Sequence, residues 1–276
     1  MSTPQASGIV TLTTDFGLRD PFVGVMKGRL LGRFPAAKIV DLTHEIEPHW
    51  PAEAGFWLAL AFGYFPAGTV HVAVVDPGVG TARELLAVTA AGHMFLAPDN
   101  GLLAPIVSAH ADARIVRIDR AALTRFGVAR PSATFHGRDV FAPLAAELAA
   151  GRCRPEELGA IVTSLVPAWI EDPTVEPGCV SGMVVTIDRF GNLITNIDAA
   201  LIQGFRSAQI HAGNHAFELY RTYGDVPPGQ PLALVNSFHV LEIACAERSA
   251  AEALGLGRGA PVVVRERVGL GSATRS

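Results

Sequence analysis

The stretch 9–42, IVTLTTDFGLRDPFVGVMKGRLLGRFPAAKIVDL, decides the fold. Ile9–Thr13 is a short run of β-branched and apolar residues, and it reads as a buried strand entering the turn Thr14-Asp15-Phe16-Gly17. Asp20-Pro21 then makes a helix start, an N-cap residue followed by proline at the first helical position. Phe22, Val23, Met26, Leu30 and Leu31 follow at helical spacing. Ala37–Leu42 is the next strand. Strand, helix, strand is the unit of an α/β layer fold, and the alternation continues outward to about Gly151. Pro51–Tyr64 has helix length and composition. Thr69–Val75 is a strand ending at Asp76-Pro77-Gly78, and Leu85–Thr89 and Met94–Leu96 flank Ala91-Gly92 as a hairpin. Asp139–Ala150 closes this half as a capped helix, with Gly151 just beyond. Several strands end in an Asp-containing turn. In open α/β sheets ligands sit beyond the carboxyl ends of the strands, so Asp15, Asp76 and Asp99 are expected to converge there.

After a Pro-, Glu- and Gly-rich segment, 155–178, the pattern changes. Val184–Ile187, Leu193–Ile197, Ile210–His211, Phe217–Tyr220, Leu232–Val235, Leu241–Ala244 and Val262–Arg265 are short runs separated by Gly, Asn or Pro. That spacing reads as a small antiparallel barrel or sandwich. The chain is therefore expected to be an α/β protein of two domains, a layered, sandwich-like α/β domain over 1–170 and a smaller β domain over 171–276.

Composition narrows the function classes. The chain has 276 residues, with 22 Lys plus Arg against 26 Asp plus Glu and a net charge of −4. This balance argues against a broad nucleic-acid or anionic-membrane surface. Hydrophobic residues make up 49% of the chain, enough for a large core and far from the disordered class. The longest strongly apolar stretch, Phe56 to Phe65, is too short for the roughly 20 residues of a membrane helix. MSTPQASG lacks the basic start and apolar run of a secretory signal, and Cys153, Cys179 and Cys245 stand far apart with no CxxC. A soluble protein of the reducing cytoplasm is expected, with neither a disulfide framework nor a thiolate zinc site.

Several motif matches dissolve on inspection. Gly78-Val79-Gly80-Thr81-Ala82-Arg83 begins like a dinucleotide fingerprint, but Arg83 stands in place of the third glycine and the segment leads to a strand. Asp15-Phe16-Gly17 matches the kinase triplet in letters only, without the Gly-rich loop or the HRD motif. The nine histidines show no ligand spacing and there is no GxSxG elbow, so neither a metal nor a serine nucleophile is expected. The informative set is Asp76, Arg83 and His136, which is one acid, one fixed cation and one titratable base, each beside a glycine-containing turn. Such a group can orient and activate a water.

Taken together, Thr14-Asp15-Phe16-Gly17, Val75-Asp76-Pro77-Gly78-Val79-Gly80-Thr81, Ala97-Pro98-Asp99-Asn100-Gly101-Leu102-Leu103, Thr134-Phe135-His136-Gly137-Arg138-Asp139, Asp188–Ile197 and Leu234-Val235-Asn236-Ser237 resemble, in order, the S-adenosylmethionine (SAM) hydroxide adenosyltransferase family, the SAM hydrolases, relatives of the SAM-dependent fluorinases and chlorinases. The resemblance covers roughly residues 8–265. It implies an α/β first domain, a β-barrel second domain and a homotrimer, with SAM bound between the first domain of one subunit and the second of its neighbour. The implied reaction is displacement at ribose C5′ by water or hydroxide, giving adenosine and L-methionine, with SAM as substrate and no resident cofactor. In the hydrolases the positions matching Asp76, Arg83 and His136 activate water, and the halogenases carry tyrosine where Asp76 stands. His136 is expected as base or water-orienter, Asp76 as its partner or the direct water ligand, and Arg83 as the cation fixing Asp76. By the same resemblance Asp15 takes the ribose hydroxyls, Asp20, Asp188 and Ser237 lie about the methionine end, Asn192 bonds the adenine, Tyr223 faces it and Phe135 lines the pocket. The alternatives are a SAM-dependent halogenase or a non-catalytic SAM or adenosine sensor. Two departures bear on the adenine end. Related sequences usually have an asparagine-containing turn where this chain has Cys245-Ala246-Glu247-Arg248, and commonly a glycine at His239.

Overall fold

The computed structural model describes residues 4–128 and 130–267, and the chain divides into two compact units between Trp169 and Ile170. Among the described residues of the first unit, seven strands form one sheet: β1 (Ile9–Thr14), β2 (Lys38–Thr43), β3 (Val70–Val74), β4 (Leu85–Ala90), β5 (His93–Pro98), β6 (Arg114–Ile118) and β7 (Gly159–Val162). Their order is β2-β1-β3-β5-β4-β6-β7. β1 runs parallel to β2 and β3, and β3 parallel to β5, while β4, β6 and β7 join antiparallel. The helices are α1 (Phe22–Arg33), α2 (Pro51–Ala61), α3 (Ala104–Ala109), α4 (Arg120–Arg125) and α5 (Ala142–Ala149).

Strand alternation sorts the core onto the two faces of the sheet. Val70, Val72 and Val74 of β3 pack with Met26 and Leu30 of α1 and with Leu144 and Leu148 of α5. Ala73 and Val75 pack with Leu58 of α2 and Ile106 of α3. With both faces covered, every residue of β3, β4 and β5 is buried. This is why these strands read as continuous apolar runs and not as alternating ones.

Two helix starts differ from expectation. Pro21 itself occupies the N-cap position of α1, because its carbonyl already accepts from the Val25 N–H at 2.9 Å, and helical geometry begins at Phe22. The helix expected from Asp139 begins earlier, as a π-helical segment, Gly137–Phe141, that runs into α5. Asp139 is therefore inside it, accepting from the Ser132 N–H at 2.9 Å and from Arg138. At the other end Gly151, at φ 68°, closes α5 as expected.

The second unit contains β8 (Thr174–Glu176), β9 (Cys179–Ile187), β10 (Leu193–Asp198), β11 (Ala208–Ala212), β12 (His215–Tyr220), β13 (Pro231–Val235), β14 (Val240–Cys245) and β15 (Pro261–Glu266). The sequence leaves barrel and sandwich open; the pairing decides for the barrel. The long strand β9 pairs with β10 on one side and β15 on the other, closing the ring β9-β10-β14-β13-β12-β11-β15, with β8 added outside it. All ring pairs are antiparallel except β12–β13. Leu193, Ile210, Leu241, Ile243 and Val264 fill the interior. Among the described residues no helix is long and apolar enough to cross a membrane.

Candidate active site

Asp15 follows the end of β1 and Asp76 the end of β3. Because these strands are parallel neighbours, both acids leave the sheet at its carboxyl edge. A cavity of about 370 Å³ opens there, and Asp15, Phe16, Phe22, Asp76, Phe135 and His136 are among the residues lining it. The three phenylalanine rings meet edge to face, with centroids 5.6–6.0 Å apart. Asp99 follows the end of β5 at the same edge, but it does not line this cavity. Its carboxylate accepts from the Val166 N–H at 2.8 Å, so only two of the three expected acids converge.

Arg83 joins the set through a tight turn. Gly80 sits at φ 81°, and a Cβ there would lie 2.2 Å from the Ala133 carbonyl oxygen. Only glycine lets the loop carrying Arg83 approach the loop carrying His136 this closely. Arg83 Nε donates to Asp76 Oδ1 at 2.6 Å and Nη2 donates to Asp76 Oδ2, a two-point fork on one carboxylate. The pair is withdrawn from solvent, the side chains being 9% and 5% exposed. Arg83 Nη2 also lies 2.9 Å from His136 Nδ1. A guanidinium has no acceptor, so Nδ1 accepts and the imidazole is neutral with its proton on Nε2. Burial, and secondarily the Arg83 charge, hold the His136 pKa below its usual 6.5 against weaker pulls from Asp76 and Asp139.

Supporting contacts escaped the sequence reading. The His49 N–H donates to Asp15 Oδ2 at 3.0 Å, and Asn100 Nδ2 donates to the carbonyl of Val75 at 2.8 Å, anchoring the residue before Asp76. Behind Asp15, Lys27, Asp41, His44 and Thr14 form a chain. Lys27 donates to Asp41 at 2.6 Å, His44 Nε2 lies 3.1 Å from Asp41, and His44 Nδ1 lies 2.8 Å from the Thr14 hydroxyl, which accepts from the Phe16 N–H. Thr14 meets Asp41 and His44 because β1 and β2 are neighbours in the sheet, and Lys27 joins them from α1.

Within the second unit a cavity of about 580 Å³ is lined by Asp188, Phe190, Asn192, Tyr223, Cys245 and Arg248, among others. Asp188 Oδ1 accepts from the N–H groups of Phe190 and Asn192 at 2.8 and 2.9 Å, and Oδ2 accepts from Asn192 Nδ2 at 3.0 Å. Tyr223 donates its hydroxyl to Glu242 at 2.7 Å. The two departures from the related pattern hold left-handed backbone at non-glycine residues, with φ 61° at His239 and 58° at Glu247. A larger cavity, about 1000 Å³, opens at the amino edge of the first sheet beside Met94, Arg114 and Cys153. It contains none of the expected residues, and burial pushes the Cys153 thiol up to about 12, away from thiolate chemistry.

Residues 10–159 match the family described as SAM hydroxide adenosyltransferase N-terminal domain, and residues 182–263 match the corresponding C-terminal domain. The chain belongs to the SAM hydroxide adenosyltransferase family. A relative from Thermus thermophilus named (R)-S-adenosyl-L-methionine hydrolase is 44% identical over 92% of this chain and 98% of its own length. A crystal structure from Thermotoga maritima, described as an uncharacterized conserved protein, superposes with TM-score 0.85 at 35% identity, covering 93% of this chain and 99% of that one. Matches named fluorinase are more distant, 30% identical for that of Actinoplanes sp. over 68% of this chain and 71% of the relative.

Most of the expected residues fall into two groups. Asp15, Asp76, Phe135 and His136 line one cavity of the first unit, with Arg83 bonded to two of them. Asp188, Asn192 and Tyr223 line one cavity of the second. Asp20 is exposed just before α1, and Ser237 lies in the turn between β13 and β14; neither is among the residues lining these cavities.

Proposed function

We propose that this chain hydrolyses S-adenosyl-L-methionine by attack of water or hydroxide at ribose C5′. The new C5′–O bond forms as the C5′–S bond breaks; the bonding pair goes to sulfur, and adenosine, L-methionine and one proton result. The observation that carries this reading is the fork of Arg83 on Asp76 with His136 on the same guanidinium, beside a cavity that Asp15 also lines. The leaving group is a neutral thioether released from a sulfonium, so it needs no acid. The protein's task is to hold water in line behind C5′ and to receive a proton, and positioning of this kind supplies about 7–11 kcal/mol when the fit is good.

The hydrogen bonds support the following roles. His136 Nδ1 is engaged by Arg83, so Nε2–H is the free pole of the ring and orients the water through its oxygen. Asp76 is the acceptor for the proton, and Arg83 holds the carboxylate and the imidazole on one guanidinium. Asp15 binds the ribose hydroxyls. In the second unit Asn192 and Tyr223 serve the adenine, and Asp188 and Ser237 the methionine end, with Asp20 joining them. The family resemblance supports a homotrimer that binds SAM between subunits. The three cysteines, unpaired in this chain, suit the cytoplasm. A carboxylate at position 76 would repel a halide, which sets this chain apart from a halogenase.

Incubation of purified protein with SAM in ¹⁸O-labelled water, with and without chloride, tests the proposal. Labelled adenosine formed independently of chloride is expected. A 5′-chloronucleoside would mean a halogenase, and SAM bound but unreacted would mean a sensor; either result overturns the hydrolase reading. Light scattering reads the trimer.

A further inference from the structure

Glu242 is a charged residue in an otherwise apolar run, Leu241-Glu242-Ile243, at the middle of β14. Alternation sends Leu241 and Ile243 into the barrel interior and turns Glu242 to the other face, with Ala244. Even there it is only 2% exposed. Two turns cover it. From one, Tyr223 donates its hydroxyl to Oε1 at 2.7 Å; from the other, Asn236 Nδ2 donates to Oε2 at 3.1 Å. Asn236 in turn shapes the β13–β14 connection, its Oδ1 accepting from the N–H groups of Phe238 and Val240 at 2.9 and 3.3 Å. Ser237 lies in that connection.

We propose that Glu242 is the positioning residue of the substrate site in the second unit, one buried carboxylate that sets both the Tyr223 ring and the Asn236–His239 turn. This rests on the SAM-hydrolase reading for the identity of the ligand. A carboxylate suits the task because each oxygen is a pure acceptor and both partners present donors. The arrangement is costly, since burial and the nearby Asp188 charge both push the Glu242 carboxyl up while its two hydrogen bonds pull it down. A barrel strand needs no acid at this position for packing; an apolar residue would fill it at less cost. Glu242 does not touch the reacting atoms, so its effect is on how tightly substrate is held.

The test uses the full-length protein, with SAM dissociation constants from calorimetry and KM and kcat from adenosine release. Glu242→Ala removes both anchors, and a weakening of SAM binding of about tenfold or more with kcat changed less than about threefold is expected, the scale of one to two hydrogen bonds. Glu242→Gln keeps one acceptor toward Asn236 and presents an N–H₂ that the Tyr223 oxygen can accept, so it recovers most of the affinity. Tyr223→Phe weakens binding in the native background and adds nothing in the Glu242→Ala background, because the two act as one unit. Unchanged affinity in folded Glu242→Ala, a loss confined to kcat, or independent effects of Tyr223→Phe and Glu242→Ala would overturn the proposal. Should Glu242→Ala fail to fold, Tyr223→Phe with native affinity overturns it equally. Native protein that binds SAM without turnover refutes the hydrolase reading alone, and the binding arm still decides on Glu242.

Discussion

Arg83 Nη2 and His136 Nδ1 lie 2.9 Å apart, and since a guanidinium can only donate, the imidazole is the acceptor. The carboxylate and the imidazole of this site therefore communicate through the cation between them. A proton can enter His136 only by displacing Arg83 from Nδ1, which disfavours the ring as the base and makes it a donor toward water.

Arg83→Lys is expected to cost about 100-fold or more in kcat/KM, because an ammonium cannot reproduce the fork on Asp76 while also bonding His136. Steady-state adenosine release from folded variant measures it, and activity within threefold of native would refute the bridging role.

The pH profile should carry one acid limb from His136. Its pKa is depressed, so the neutral, active form dominates above 6.5 and activity falls only at lower pH, as the ring protonates and loses its acceptor nitrogen. Replacing Arg83 by Met removes one cause of the depression, so the ring should titrate at higher pH than in native protein. NMR titration of the His136 ring protons reads both, and an unmoved ring titration in Arg83→Met would contradict the charge argument.

Gly80→Ala places a methyl 2.2 Å from the Ala133 carbonyl oxygen at a φ of 81°. The strain is relieved by parting the Arg83 and His136 loops, and displacements of this order cost about 100-fold in rate. Activity should thus fall far more than the melting temperature. Parallel assays of turnover and thermal unfolding would show whether the loss instead follows general unfolding.

Acid stability should be governed by His71, which is fully buried between the Thr11 hydroxyl at 2.8 Å and His93 Nδ1 at 3.1 Å. Burial, with a smaller contribution from His93, lowers its pKa from 6.5 to about 3. Between those values the unfolded chain binds the proton and the folded chain does not. Stability is therefore whole above pH 6.5 and declines by about 1.4 kcal/mol per pH unit below it, per proton. Denaturant titrations across that range should show the slope, and His71→Gln should flatten it.

Much of the fold was legible because the stretch 9–42 obeys local rules: a β-branched run, a proline-led helix and a second run can only build a layered unit. The helix starts were less so. Helical geometry begins at Phe22, with Pro21 as N-cap, and at Gly137, which packs close to Met26; residue-type preference points to Pro21 and Asp139. The motif residues Asp15, Asp76, Arg83 and His136 were legible through their turns, whereas Glu242 passed unmarked within the strand run Leu241–Ala244. The Lys27–Asp41–His44–Thr14 chain was not legible.

Residue identity alone determined the α/β class, the short-stranded second half and the chemical types available at the site, because periodicity, turn preference and ionisable groups are properties of the chain itself. Tertiary structure alone decided that β9 closes a barrel, that Asp99 serves Val166 and not the cavity, and that Arg83 stands between Asp76 and His136. These depend on which strands become neighbours and on distances between atoms remote in sequence, as with Arg83 and His136. Only packing of the whole chain sets such distances.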